Sequence, residues 1–518
     1  MQSFLQRRQI AARSVLKLTE KPPASLYESD ETAVDKPTIP NSTPREQQDE
    51  EDANVNPRKW SIRKKLVATL IVTAISFVVQ YASAVDSAAA ERIQAEFGVS
   101  AVAESLATGL FLVGFGVGAP IAGPLSEIAG RNPVYIISFV LFMLCTMGAG
   151  LAPNIGAQLA LRFLAGMFGS TPLVCAGGTI SDLWDPIDQI HIFPIYATGG
   201  FFGLAVGPPI GGLIADSHLV GWRWVEWSTL VLSGAVLLLV LIFQPETYAP
   251  TLREWQTAAV TAKIASGDGE IPSAKIIGNT IGNTEQASGF QRFKAKIGPA
   301  LYRPVQLSYS EPIIIMISIY LSVLYIVIFT FLPGYTFIFT NTYGFSPADR
   351  GLSFFSLGVG FLLTLATTIP ITIQSRKIIQ RDGKLSPESR LWFAMIGAPT
   401  IPIGLFWMAW TTRASISCWS AIAASALLGF GILCVFISSY QYIIYTYEQL
   451  AASGLVFVTF ARYLVAGGMV EVGIPMYENL GVAWALTLLG ILSVVLIPIP
   501  FSLFYWGPKI RQWSKHVQ

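Results

Sequence analysis

From Leu66 onward, long apolar runs alternate with short polar breaks. Six runs, near 66–88, 105–126, 133–152, 157–181, 191–215 and 222–244, precede a polar stretch at 246–310. Six more follow, near 312–336, 351–373, 391–411, 417–440, 450–475 and 481–505. A run of about 20 residues, rising 1.5 Å per residue as a helix, crosses the hydrocarbon core of a bilayer. In lipid a helix also satisfies its own backbone hydrogen bonds. The pattern predicts an all-α membrane protein with twelve transmembrane helices. The six-and-six division is that of a two-half transporter with halves at 58–245 and 311–506. No residue-level repeat between the halves is visible.

The ends read differently. Residues 1–57 are rich in Pro, Ser, Thr and acids, with the run Asp49-Glu50-Glu51-Asp52. They lack an apolar period, so a disordered tail is predicted. Phe4 to Leu18 is basic and loosely amphipathic, and a surface helix or targeting segment is the alternative there. No secretory signal is expected, because the first long apolar run starts near Leu66. Residues 507–518 form a second short tail.

Composition agrees: 52% of the 518 residues are hydrophobic and 13% are charged, against about 25% charged in soluble chains. This excludes a soluble enzyme, a nucleic-acid binder and a secreted domain. Cys145, Cys175, Cys418 and Cys434 all lie in apolar runs without metal-ligand spacing. They read as packing thiols. His191, His218 and His516 stand at span ends or in the tail, so no metal site is expected.

Lysine and arginine give the orientation. With the N-terminus inside, the cytosolic segments carry Arg58, Lys59, Arg63, Lys64, Lys65, Arg131, Arg376, Lys377, Arg381, Lys384, Arg390, Lys509, Arg511 and Lys515. The other side has Arg92, Arg223, Arg350 and Arg413. Both termini and the loop 246–310 are therefore expected in the cytosol. The sequon Asn41-Ser42-Thr43 would then stay unmodified.

Three motifs carry candidate chemistry. Between spans 2 and 3, Gly123-Pro124-Leu125-Ser126-Glu127-Ile128-Ala129-Gly130-Arg131 combines a helix-contact glycine, a turn glycine and two charges able to form gate ion pairs. In span 4, Arg162 lies a turn or two below the outer surface, where a guanidinium is a functional candidate. Asp86, near the outer end of span 1, sits at similar depth as a partner. In span 5, Gly203, Gly207 and Gly211 recur every four residues beside Pro208, Pro209 and Gly212. They form a smooth, bent packing strip. Glu471, in the outer third of span 11, is a further proton-exchange candidate. Arg462 is nine residues earlier, on nearly the opposite face at about 100° per residue, so the two are not expected to pair.

These motifs, in this order, resemble the major facilitator superfamily. Asn56-Pro57-Arg58-Lys59-Trp60-Ser61, Gly221-Trp222-Arg223-Trp224-Val225-Glu226-Trp227 and Pro245-Glu246-Thr247-Tyr248-Ala249-Pro250 are similar to its fungal twelve-span drug:proton antiporter group. So are Pro387-Glu388-Ser389-Arg390-Leu391 and Ala451-Ala452-Ser453. The resemblance covers roughly 56–515. It implies two six-helix bundles around a central cavity, worked by alternating access. It also implies an antiporter motif in span 5, a proton-transfer role for Arg162, and an inner gate at Glu127 and Arg131 with Asp182 as partner. Departures are Asn132, the arginine-free loop Asp182-Leu183-Trp184-Asp185-Pro186, Tyr445, and Val470-Glu471-Val472 in span 11.

No Gly-x-x-x-x-Gly-Lys-Ser/Thr loop is present, so an ion gradient is the expected energy source and no cofactor is expected. The expected function is proton-coupled export of a small amphipathic organic compound by a monomer in the plasma membrane, the vacuolar membrane being the alternative. Expected partners are the substrate, protons and lipid, with no nucleic acid. Uptake, polyamine transport or a transporter-like sensor are the other readings.

Overall fold

The structure is a computed structural model that describes residues 2–19, 56–265, 309–383, 385–447 and 451–514, with isolated positions 298, 302 and 306. The acidic run 49–52, the sequon at 41–43, Lys384, Lys515, His516 and residues 266–297 of the central segment lie outside the described residues.

The first half holds spans 1 to 6: Ile62–Ala88, Ala101–Ala129, Arg131–Gly150, Ile155–Leu183, Gln189–Asp216 and Trp224–Phe243. The second half has Pro312–Asn341, Pro347–Arg381, Pro387–Thr411 and Cys418–Tyr447 as spans 7 to 10, then one stretch, Ser453–Trp513. That last stretch has 61 residues, about 90 Å of helix at 1.5 Å per residue, too long for one crossing. It breaks at Gly481, where φ is 73° and ψ is 166°, a conformation that favours glycine. The break separates spans 11 and 12 and completes the twelve crossings of two six-helix bundles. Several helices run beyond the apolar stretches that predict them. Span 8 ends at Arg381, because a helix can continue once its side chains reach water.

Close packing uses glycine where backbones meet. A Cβ on Gly114 of span 2 would collide with the Phe163 carbonyl of span 4, and one on Gly166 with the Phe111 carbonyl. Gly360 and Gly429 do the same between spans 8 and 10. Between the halves, Gly109 of span 2 lies against Gly467 of span 11.

One expectation is corrected at the N-terminus. Residues Gln2–Thr19 form a helix, not a disordered segment, and it packs on a second helix, Ala249–Ala265, at the start of the central segment. The segment has too few apolar residues to fold alone, but it borrows a partner. Ile10 is buried, Arg7 lies 5.9 Å from the Trp255 ring centroid, and Gln6 hydrogen-bonds both backbone groups of Glu246. This pair of helices marks one end of the bundles, the basic face, which also carries Arg131 and Arg390; the other end is the far face.

Candidate functional site

Arg162 stands two turns into span 4 and is fully buried. Its Nη2 is 2.9 Å from Asp86 Oδ2, and its Nη1 is 3.7 Å from Glu226 Oε1. Nη2 also donates to the Ala82 carbonyl at 2.9 Å, and the guanidinium lies 4.6 Å from the Phe111 ring centroid. Asp86 is held in a short 3₁₀ turn where span 1 ends, and Glu226 comes from span 6. The expected Arg162–Asp86 pairing is thus present, with a second carboxyl that sequence reading did not assign. Its available signal was an acid inside the predicted span 222–244. With both carboxylates ionised, the trio is one negative charge in excess, and one proton would balance it.

On the basic face, Arg131 Nε is 3.2 Å from Asp182 Oδ2. Glu127 is not its ion-pair partner; it stands exposed at the edge of a cavity. The missing member is Glu246. Its carboxylate accepts the backbone N–H groups of Arg131 (3.0 Å), Asn132 (3.1 Å), Thr247 (3.0 Å) and Tyr248 (2.9 Å). It therefore caps the first turn of span 3, where orphan N–H groups attract an anion. Burial pushes this carboxyl above the ordinary glutamate value, while those backbone N–H groups pull the other way. Gly130 turns at φ 90°, and a Cβ there would come within 2.7 Å of Glu246 Oε2. Gly178 of span 4 leaves the room that the Arg131 guanidinium occupies.

The span 5 strip packs within its own half. Gly203, Gly207 and Gly211 lie against the span 1 backbone at Phe77, Tyr81 and Val85. The contact between halves falls to the next residues: Gly212 meets Pro347, and Gly351 meets the Pro208 carbonyl. On the same far face, Arg350 pairs with Glu91 at 3.1 Å and Ser105 donates to Glu471 at 3.1 Å, each across the halves. Buried Glu104 stands beside Ser105. Glu91, Glu104, Ser105 and Arg350 line a far-face cavity of about 190 Å³.

A second cavity, about 230 Å³, opens toward the basic face. Gly123, Glu127 and Arg131 contribute to its mouth, and Tyr196, Phe436 and Arg462 lie deeper along their spans. At mid-depth, ring contacts cross between the halves. Phe115 stacks on Tyr463 at 4.9 Å, Phe193 on Tyr440 at 5.9 Å, and Phe201 meets Phe436 at 4.7 Å. Arg390 donates to the Pro186 carbonyl at 2.8 Å, so the halves also touch at the basic face.

Two cavities on the interface of two six-helix halves, with charges concentrated at each end, describe a transporter scaffold. A family model described as Major Facilitator Superfamily matches residues 66–470. The chain belongs to the Major Facilitator Superfamily.

Among superfamily members it is 44% identical over 469 residues to the MFS-type transporter kojT of Aspergillus oryzae, covering 90% of this chain and 81% of that one. It is 32% identical over 471 residues to the ascochitine biosynthesis cluster MFS transporter of Didymella fabae, covering 90% and 87%. Among solved structures, the proton:xylose symporter XylE aligns with a TM-score of 0.62 at 16% identity, covering 86% of this chain and 97% of that one. That likeness speaks for the fold. Within this superfamily fold, Asp86, Arg162 and Glu226 come together, as do Arg131, Asp182 and Glu246. Glu471 stands apart from the Arg162 trio, bonded to Ser105.

Proposed function

We propose that this transporter exports a small amphipathic organic compound in exchange for protons, by alternating access between its two cavities. The observation that carries the coupling is the buried trio Asp86–Arg162–Glu226, one charge short of neutrality on the far face. A proton entering there would neutralise the trio and loosen the hold of spans 1, 4 and 6 on one another. A relative named for a biosynthetic cluster supports a metabolite as cargo. The Lys and Arg bias supports a cytosolic basic face, which makes the larger cavity the loading side. A monomer in the plasma membrane, driven by the proton gradient with no other cofactor, completes the reading.

The test is transport by the purified full chain in proteoliposomes with an imposed pH gradient. Uphill accumulation that collapses with an uncoupler is expected. Transport of the same compound that ignores the gradient would overturn proton exchange.

A further inference from the structure

Five arginines are buried among the described residues: Arg350 pairs with Glu91, Arg390 donates to the Pro186 carbonyl, and two more have carboxylate partners within the bundles. Arg162 has Asp86 and Glu226; Arg131 has Asp182. Arg462 of span 11 has no carboxylate ion pair among the described residues, although it is only 2% exposed. Its guanidinium is caged by rings instead. Tyr325, Phe436, Tyr440 and Tyr463 lie with centroids 4.5, 5.2, 5.1 and 4.9 Å from Cζ. Ring faces offset a buried cation through their quadrupoles. They do not satisfy directional N–H donors: among the described residues Nε and Nη1 make no hydrogen bond, and the polar groups beside the guanidinium are the Tyr440 and Tyr463 hydroxyls. A buried charge with unmade hydrogen bonds is costly, and an anion entering the cavity that Arg462 lines would relieve that cost.

The position of Arg462 says what ligand. It lines the cavity that opens to the basic face, whose other walls are apolar or aromatic apart from Ser181, Thr459 and, at the mouth, Glu127 and Arg131. Phe193 and Tyr440 stack at 5.9 Å, Phe436 and Tyr440 at 4.4 Å, giving a continuous aromatic wall beside the guanidinium. Tyr440 is held in place by a 2.9 Å hydrogen bond between its hydroxyl and Thr459. The cavity's one acid, Glu127, stands at the mouth, away from Arg462. At about 230 Å³ the space is below the usual 300–1,000 Å³ of drug-sized sites, which suits a single ring. We propose that this cavity binds a small planar carboxylate, with its charged oxygen on Arg462 and its ring against the Phe193–Tyr440–Phe436 wall. A cation is disfavoured there by Arg462 itself, which argues against a polyamine cargo.

This assignment rests on the transporter reading only for its cargo role; the binding step needs neither direction nor gradient. The purified full chain in detergent is titrated with salicylate, benzoate and sorbate, and with salicylamide as the neutral shape-match of salicylate. Saturable binding of the acids is expected, with salicylamide weaker by about tenfold or more, the scale of a lost charge-assisted hydrogen bond. Arg462→Gln should remove that preference. Arg462→Lys, which keeps the charge but not the planar fork, should fall between. Equal affinity for salicylate and salicylamide, or no saturable binding of any acid, overturns the proposal. That comparison uses the wild-type chain, so misfolding of a variant does not blunt it. Acid-selective binding with no gradient-driven transport would refute proton-coupled export and leave the anion site standing.

Discussion

Glu246 holds the backbone N–H of Arg131 at 3.0 Å, so the chain leaving span 6 is fastened to the turn that opens span 3. Four N–H groups converge on that one carboxylate, and none has a helical partner of its own. Glu246→Ala should therefore destabilise the protein by about 2 kcal/mol, as buried donors lose their acceptor. Glu246→Gln, which keeps one acceptor oxygen, should lose less. Thermal unfolding of the detergent-purified variants orders the three proteins, and an unchanged Glu246→Ala melting curve would refute the cap.

Arg162→Ala should leave the protein in the membrane but abolish uphill, gradient-driven transport. Counterflow is the discriminating measurement, because exchange of labelled for unlabelled substrate needs no net proton movement. We expect counterflow to survive in Glu226→Gln while uphill transport fails. Wild-type uphill rates in both variants would remove the trio from the coupling step.

The glycines of span 5 make a graded prediction. A methyl group at Gly203 would overlap the Phe77 carbonyl, whereas at Gly207 its closest neighbours are 3.0 and 3.1 Å away. Gly203→Ala should therefore cost about 1–3 kcal/mol, more than Gly207→Ala. Gly468→Ala, with nothing within 4 Å of the added atom, is the control and should melt as wild type. The bulkier Gly207→Leu should block transport by forcing spans 1 and 5 apart, which a vesicle uptake assay reads directly.

Ser105 and Glu471 touch across the halves on the far face. Cysteines at both positions, joined by a short bifunctional thiol reagent, should hold that face shut and stop transport. Reagent applied to either single-cysteine variant should have little effect. Full transport by the joined protein would mean that the far face does not open between spans 2 and 11.

The crossings were legible because apolar length alone decides whether a segment enters lipid. The pairing of Arg162 with Asp86 was legible too, since both depths follow from topology. Depth could not show Glu226, because facing the same point from span 6 depends on helix rotation. Nor could it show Glu246, whose partners stand 114 and 115 positions away in sequence. The helix Gln2–Thr19 stood only as the alternative to a disordered tail, for a related reason. Its order comes from Gln6 meeting Glu246 across 240 positions, and no local pattern encodes that contact. Arg462 was judged only against Glu471 on its own helix, while the rings that cage it come from spans 7, 10 and 11.

The Gln6 contact also matters at the bench. Glu246 binds Gln6 through its backbone and the start of span 3 through its side chain, so the helix Gln2–Thr19 is mechanically wired to the turn that opens span 3. A fluorescent protein or purification tag fused there would pull on that wire. Reporters for locating this transporter in a cell belong at the opposite terminus.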